Sequence, residues 1–193
     1  MGLFDRDLRL MLDEIAGPSP APGAGAVSGV VIAMAAGLIA SAARRSTDWD
    51  EGKGVSAQAQ ALRSRVERLA EANEEAYLEA LGLIEGAAED GDRDAAIGKA
   101  LDTAAELPLS IAECAHDVAL LGAEAAQHAV RGGAEDSAAA SILAEAAARS
   151  AAGLVAANLV SRPGDERVLQ AQQLAEAATD AARRAVAASA TLT

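Results

Sequence analysis

The sequence is poor in aromatic residues, which make up only 2% of the chain. Phe4, Trp49 and Tyr77 are its only members of that class. Few segments show the alternating β-branched residues that favour strands, whereas alanine dominates and, with leucine, favours helices. Because small side chains let helices approach closely, we expect an all-α protein, an up-and-down bundle of about six helices with long central helices.

Cysteine and lysine are scarce as well. Cys114, the single cysteine, allows neither an internal disulfide nor a cysteine-based zinc site, and its apolar neighbours indicate a buried structural thiol. Lys53 and Lys99 are the only lysines, and the net charge is −13. Because contacts to phosphates need clustered lysine and arginine, the composition argues against a nucleic-acid partner.

A secretory signal is not visible, since residues 1–16 alternate charged residues with Leu and Met, as an amphipathic helix does. Residues 26–43 carry no charge and reach the lower range for a membrane span. That run is mostly Ala, Gly and Ser and lacks flanking aromatic residues. A helix that is apolar all round also suits the centre of a soluble bundle. We therefore expect a cytoplasmic protein that does not bind membranes.

Helical periodicity predicts one domain over residues 1–193. An acidic turn is expected at 89–94, and Asp136 or Ser137 is expected to cap the fifth helix. Pro108 falls inside the fourth helix and should kink or split it. The predicted helices are 3–15, 25–46, 55–89, 92–130, 135–160 and 164–190.

Residues 17–25, GPSPAPGAG, form the most distinctive loop. Proline fixes φ and glycine permits sharp bends, so this loop is rigid at first and then turns tightly. It leads into an uncharged helix, whose first backbone N–H groups suit a carboxylate, a phosphate or a developing oxyanion. A loop that only connects two helices is the alternative.

Polar residues interrupt two apolar helix stripes. Asn73 lies in the middle of the stripe on the third helix, while Glu74 and Glu75 are expected to point away from it. Asp136 and Asn158 lie at the two ends of the stripe on the fifth helix. A cap is the structural interpretation of Asp136, and a bridge between helices is that of Asn158. Since Asn73, Asp136 and Asn158 all face inward, we expect them to line one cleft.

The two histidines give little support to a metal site. His128 falls on an inward stripe, either as a buried base or as a cation at the negative pole of its helix. Glu113 and His116 have the spacing used in di-iron bundles, but that site needs a second such pair and further glutamates. His116 also lies nearly opposite the apolar stripe of its helix, so we expect it to meet solvent. No metal is therefore expected.

Taken together, the motifs resemble those of the cyclodeaminase/cyclohydrolase family over nearly the whole chain. The loop at 19–25, SPAPGAG, resembles T-P-x-P-G-G-G-S, and 72–77, ANEEAY, resembles D-x-x-A-[FY]. The segment at 104–109, AAELPL, resembles A-x-x-P-L. The pair at 135–136 resembles S-D, and 154–159, LVAANL, resembles N-V-x-x-N-L.

This resemblance implies an all-helical homodimer that binds a reduced folate beside the Pro/Gly loop, with a tetrahydrofolate derivative as substrate and no tightly bound cofactor. Members of the family close N5-formimidoyl-tetrahydrofolate to the 5,10-methenyl form with loss of ammonia, as C–N lyases, or open that ring with water, as cyclohydrolases. Both reactions need a proton donor or acceptor and groups that stabilise charge at a tetrahedral carbon.

The resemblance also supplies candidate site residues. The candidate catalytic residues are Asp136, as the carboxylate for proton transfer, with Asn73 and Asn158. The residues expected to bind the folate are Pro22, Gly23 and Gly25 at the loop. Arg44, Arg45 and Lys53 form a basic group that is unusual in so acidic a chain, and we expect them to attract the acidic glutamate tail; a solvated helix end is the alternative for this group.

Several positions depart from the family pattern. Asn73 stands where the family has Asp, and an amide cannot shuttle a proton as a carboxylate does. The other departures are Ala24, Ala26, Glu135 and Leu154. The alternative function is therefore a non-catalytic relative that binds folate or another small anion, or a structural helical dimer.

Overall fold

Six α-helices and one short 3-10 turn at Leu3–Asp5 make up the part of the chain that the structure describes. The structure is a computed structural model that describes residues 2–85, 91–130, 132–160 and 162–191. The helices are α1 (Leu8–Ala16), α2 (Ala24–Arg45), α3 (Gly52–Glu85), α4 (Gly91–His128), α5 (Gly133–Asn158) and α6 (Glu166–Ala190). The expectation of an all-α bundle with long central helices is confirmed.

The uncharged helix α2 lies at the centre of the bundle and packs against α3, α4 and α5. Ala35, Ala36 and Ile39 of α2 are fully buried. Small residues set the distance to α3, since a Cβ on Gly29 would come within 2.4 Å of the Cβ of Ala70. The alanine-rich composition therefore serves close helix packing, as the sequence indicates.

Among the described residues, α2 and α5 are long and apolar enough to cross a membrane. In the most apolar window of each helix, 61% of α2 and 50% of α5 is buried inside the bundle. Core helices of bundles meet the same criterion of length and composition. The two helices are therefore weak evidence for a membrane.

The helix ends differ from the predicted ones in detail. Asp7 caps α1 by accepting a hydrogen bond from the backbone N–H of Arg9, which separates α1 from the 3-10 turn. The predicted end of α3 at residue 89 lies outside the described residues, and α4 already includes residues 91–94 of the expected acidic turn. Pro108 does not split α4, which continues through it.

The predicted cap of α5 is wrong. Gly132 is the N-cap residue, and its N–H donates to the Glu135 carboxylate at 2.6 Å. Asp136 instead pairs with Arg45. The Ser137 hydroxyl donates to the carbonyl of Gly133 within the helix.

Cys114 is buried in the core, as expected, and burial raises the pKa of its thiol to about 11. The prediction that His128 faces inward is wrong, because His128 is exposed and stacks on Trp49 with ring centroids 5.4 Å apart. His116 is partly buried beside Asp117 rather than fully in solvent.

Candidate functional site

A cavity of about 250 Å³ opens where the N-terminus of α2 meets α3, α4 and α5. Four larger polar side chains contribute to its wall: Asn73, Glu74, Tyr77 and Asn158. The remaining lining residues are small or apolar: Gly23, Ala24, Gly25, Ala104, Pro108 and Leu154. Four of the motif segments singled out in the sequence therefore meet at one cavity.

The Pro/Gly loop ends at the wall of this cavity. Gly23 is the N-cap residue of α2, and no side chain caps the helix there. Pro22 is buried and follows a cis peptide bond. Because the first N–H groups of an uncapped helix carry a positive partial charge, this end of α2 suits a negatively charged or carbonyl-bearing group.

Asn73 lies directly against the first turn of α2. A Cβ on Gly25 would come within 2.2 Å of the Asn73 amide nitrogen, so the amide occupies the space that a side chain at position 25 would need. Within the described part of the chain, the side-chain amide of Asn73 makes no hydrogen bond. Its amide therefore keeps its donors and acceptor for a ligand in the cavity.

Asn158 joins α5 to α4 across the cavity. Its amide donates a 2.5 Å hydrogen bond to the carbonyl oxygen of Ala104. In an α-helix that carbonyl would accept from the N–H of residue 108, but Pro108 has no N–H. Asn158 thus supplies the missing donor and lets α4 continue through Pro108. The bridging role considered for Asn158 is the one that its hydrogen bond shows.

Glu74 lines the cavity, contrary to the expectation that it points away. Its side chain is 11% exposed, and both of its carboxylate oxygens accept from the Arg6 guanidinium, at 3.2 and 3.1 Å. Arg6 also donates to Glu14 at 3.0 Å. Burial acts to lower the pKa of Arg6, but its hydrogen bonds and charge pairing with Glu74 and Glu14 outweigh that effect, so the pKa is raised. Glu75, the next residue, is exposed as expected.

Sequence reasoning missed Glu74 for a physical reason. Its partner Arg6 lies 68 residues earlier in the chain, and a stripe of apolar residues gives no sign of such a pairing. The one sequence feature that could have indicated Glu74 was its position next to Asn73 in the polar segment of α3.

Asp136 does not share the cavity with Asn73 and Asn158, so the expectation of a single cleft for all three is not met within the chain. Asp136 lies near the start of α5 and Asn158 at its end, about 33 Å apart at the helical rise of about 1.5 Å per residue. Its carboxylate instead pairs with Arg45 on the surface. Both residues lie on one stripe, but at opposite ends of the helix.

The basic group expected to hold the folate tail is also remote from the loop. Arg44 and Arg45 end α2, about 30 Å from Gly25 at the same helical rise. Arg44 donates to Ser56, and together with Lys53 it borders a different surface cavity. Within one chain, the structure therefore does not bring these residues to the loop.

No group of three His, Cys, Asp or Glu side chains could hold a metal ion in the described residues. Glu113 pairs with Arg65 at 3.2 Å, and His116 contacts Asp117 at 3.3 Å. The two members of the candidate metal motif thus have other partners.

The sequence and the fold of this chain are similar to those of known proteins. Residues 7–179 match a family model described as formiminotransferase-cyclodeaminase. A search of curated protein sequences finds no match. Among solved structures, formiminotetrahydrofolate cyclodeaminase from Thermotoga maritima has a TM-score of 0.87 at 19% sequence identity, and the match covers 98% of each chain. That likeness shows a common fold, and the family model covers most of the chain. The chain therefore belongs to the formiminotransferase-cyclodeaminase family.

Proposed function

We propose that this protein binds a reduced folate in the cavity at the N-terminus of α2 and closes N5-formimidoyl-tetrahydrofolate to the 5,10-methenyl form with release of ammonia. Ring opening by water, the cyclohydrolase reaction, is the related activity of the same site. The proposal needs no bound cofactor, because the tetrahydrofolate derivative is itself the substrate. Family membership and the shared fold support it.

The observation that carries the proposal is the composition of the cavity wall. An uncapped helix end, two side-chain amides and one carboxylate surround the same small space. Amides and backbone N–H groups match the alternating donors and acceptors of a pterin ring. A carboxylate stabilises the positive charge that both the amidinium substrate and the methenyl product carry.

The size of the cavity limits what it can enclose. Its volume of about 250 Å³ is below the range of about 300–1,000 Å³ that is typical of sites for whole drug-sized ligands. The pterin ring and the one-carbon bridge are the reacting part of the molecule and match this size better than a whole folate. The benzoylglutamate tail then lies outside the cavity, on the surface of the bundle.

A non-catalytic folate-binding protein is the second candidate function. Asn73 favours it, because this amide lies free in the cavity where the family pattern has a carboxylate. A native protein that binds reduced folate without turnover, and that gains turnover on Asn73→Asp, would support this second function.

Titration of folate-depleted protein with 5-formyltetrahydrofolate, a stable reduced folate, tests the binding site by calorimetry. We expect saturable binding to the native chain and a loss of at least about tenfold in affinity for Gly25→Ala, because the added Cβ would displace the Asn73 amide. Gly37→Ala is the matched control on the same helix, since a Cβ there meets no atom within 4 Å. Equal affinity in both variants would place the ligand elsewhere.

A further inference from the structure

We infer that Glu74 is the residue that transfers the proton during the reaction in this chain, and that Arg6 is the residue that positions it. This inference rests on the proposed function. It assigns to Glu74 the role that the family resemblance suggests for Asp136, a residue that lies about 33 Å from Asn158 along α5 at the helical rise of about 1.5 Å per residue.

The chemistry of the wall leaves one proton-transfer group. Among the described residues that line the cavity, Glu74 is the sole carboxylate. Asn73 and Asn158 are amides, which neither gain nor lose a proton in catalysis of this kind. The Tyr77 phenol could also exchange a proton, but Tyr77 is 43% exposed, and within the described part of the chain no hydrogen bond orients its hydroxyl toward the cavity, so it is set aside. The residues that α4 and α5 contribute, Asn158 apart, carry no polar side chain.

The surroundings of Glu74 fix the direction of its carboxylate. Arg6 approaches from the segment before α1 and forms a two-pronged pair with both carboxylate oxygens. Glu14 of α1 holds Arg6 in turn. Each carboxylate oxygen has a second lone pair, so the pairing with Arg6 leaves acceptors for a substrate N–H. A long side chain that is 11% exposed and held at both oxygens is oriented before the substrate binds.

The proton balance of ring closure suits such a group. N10 of the amidinium substrate attacks the one-carbon unit, and the new N10–C bond gives a tetrahedral carbon with a positively charged N10. Glu74 takes the proton from N10 and delivers it to the amino nitrogen of the same carbon. The C–N bond to that nitrogen then breaks, ammonia leaves with the electron pair, and the charge remains on the methenyl product. The carboxylate ends the cycle as it began.

The test compares Glu74→Gln with Glu75→Gln, its matched control at the exposed neighbouring position. Turnover of N5-formimidoyl-tetrahydrofolate is followed through the absorbance of the methenyl product, and the affinity for 5-formyltetrahydrofolate is measured on the same samples. For Glu74→Gln we expect kcat to fall by about 10²–10⁴-fold, as for loss of a general acid–base, while the affinity changes only a few-fold. Glu75→Gln should match the native chain in both.

A second variant separates chemistry from folding. Glu74→Ala with added formate should regain part of the lost turnover, because the small carboxylate can enter the vacated space. The thermal unfolding midpoint of this variant should stay unchanged by formate, whereas a purely structural role predicts that formate raises the midpoint together with the turnover.

Several outcomes would overturn the inference. Full turnover of Glu74→Gln, with loss of turnover in Asp136→Asn, would return proton transfer to Asp136 and leave the proposed function intact. Turnover that appears only in Asn73→Asp would also exclude Glu74. A native protein that does not bind 5-formyltetrahydrofolate at all would instead contradict the proposed function itself.

Discussion

At the scale of single residues, the contact between Asn158 and Ala104 explains how α4 contains a proline in mid-helix. Pro108 removes one helical hydrogen bond, and a side chain from α5 restores it. The partners are 54 residues apart in sequence. The sequence predicted that Asn158 faces inward and that Pro108 disturbs α4, but nothing in it joined the two.

Loss of this hydrogen bond should lower stability in a way that depends on Pro108. We expect Asn158→Ala to reduce the free energy of unfolding by about 1–3 kcal/mol, because the buried carbonyl of Ala104 loses its partner. In a Pro108→Ala background the helix regains its own N–H donor, and the cost of Asn158→Ala should fall by about 1 kcal/mol. Urea unfolding of the four proteins measures this coupling. Equal costs in both backgrounds would show that the two residues act independently.

Sequence patterns also fail to show contacts between distant residues in the rest of the site. The Pro/Gly loop, Asn73 and Asn158 were predictable, because turn residues and polar interruptions of an apolar stripe have local signatures. Glu74 was not, since its burial depends on Arg6 from another element. Local sequence patterns thus indicate which residue types a site contains. Contacts between residues that are distant in sequence become visible only in the folded structure.

At the scale of elements, an apolar stripe determines which face of a helix is buried but not where along the helix a function lies. Asp136 and Asn158 share the inward stripe of α5, yet they lie at opposite ends of the bundle. The same holds for α2, whose N-terminus reaches the cavity while Arg44 and Arg45 lie at the other end. The predicted helix ends agree with the described ones to within a few residues, except that α1 begins at Leu8 rather than at residue 3 and the predicted end of α3 falls outside the described residues. The main error therefore concerned position along an element rather than its existence.

A cluster of charges joins the start of α6 to α4. Arg167 donates to Asp165, the N-cap of α6, and to Asp102 of α4, which Arg162 also contacts. Hydrogen bonds from the side chain and backbone N–H of Arg167 lower the pKa of Asp165 to about 2. Arg167 likewise lowers the pKa of Asp102. The cluster therefore favours the charged form of both carboxyl groups in the folded state.

This shift should make the effect of Arg167→Gln depend on pH. Aspartate in unfolded chains titrates near about pH 4, so the folded state binds protons less readily than the unfolded state between about pH 4 and pH 2. The stabilisation is complete above that window and is lost as the pH falls through it. Urea unfolding at several pH values should show a native–variant difference that is constant from pH 7 to 5 and shrinks toward pH 2. Arg183→Gln, which breaks an exposed pair within α6, should show little effect at any pH.

At the scale of the whole molecule, one face of the bundle is apolar and open. Leu8 and Leu12 of α1 are 63% and 55% exposed, and Met34 of α2 is 60% exposed. They border a groove of about 320 Å³ between α1 and α2 whose lining is wholly apolar. Exposed patches of this kind commonly mark contacts with another protein.

The homodimer expected from the sequence would cover this face. In a symmetric pair the same patch meets itself, so the groove and the leucines beside it can serve both partners at once. We therefore expect light scattering of the native chain at micromolar concentration to give the mass of a dimer. The double variant Leu8→Glu with Leu12→Glu should give the mass of a monomer, because its carboxylates would be buried against an apolar surface in the dimer. Leu169→Glu, at a position 58% exposed on α6, is the matched control and should stay dimeric. A native monomer would contradict the dimer, and a dimer that survives the double variant but not Leu169→Glu would place the interface on α6.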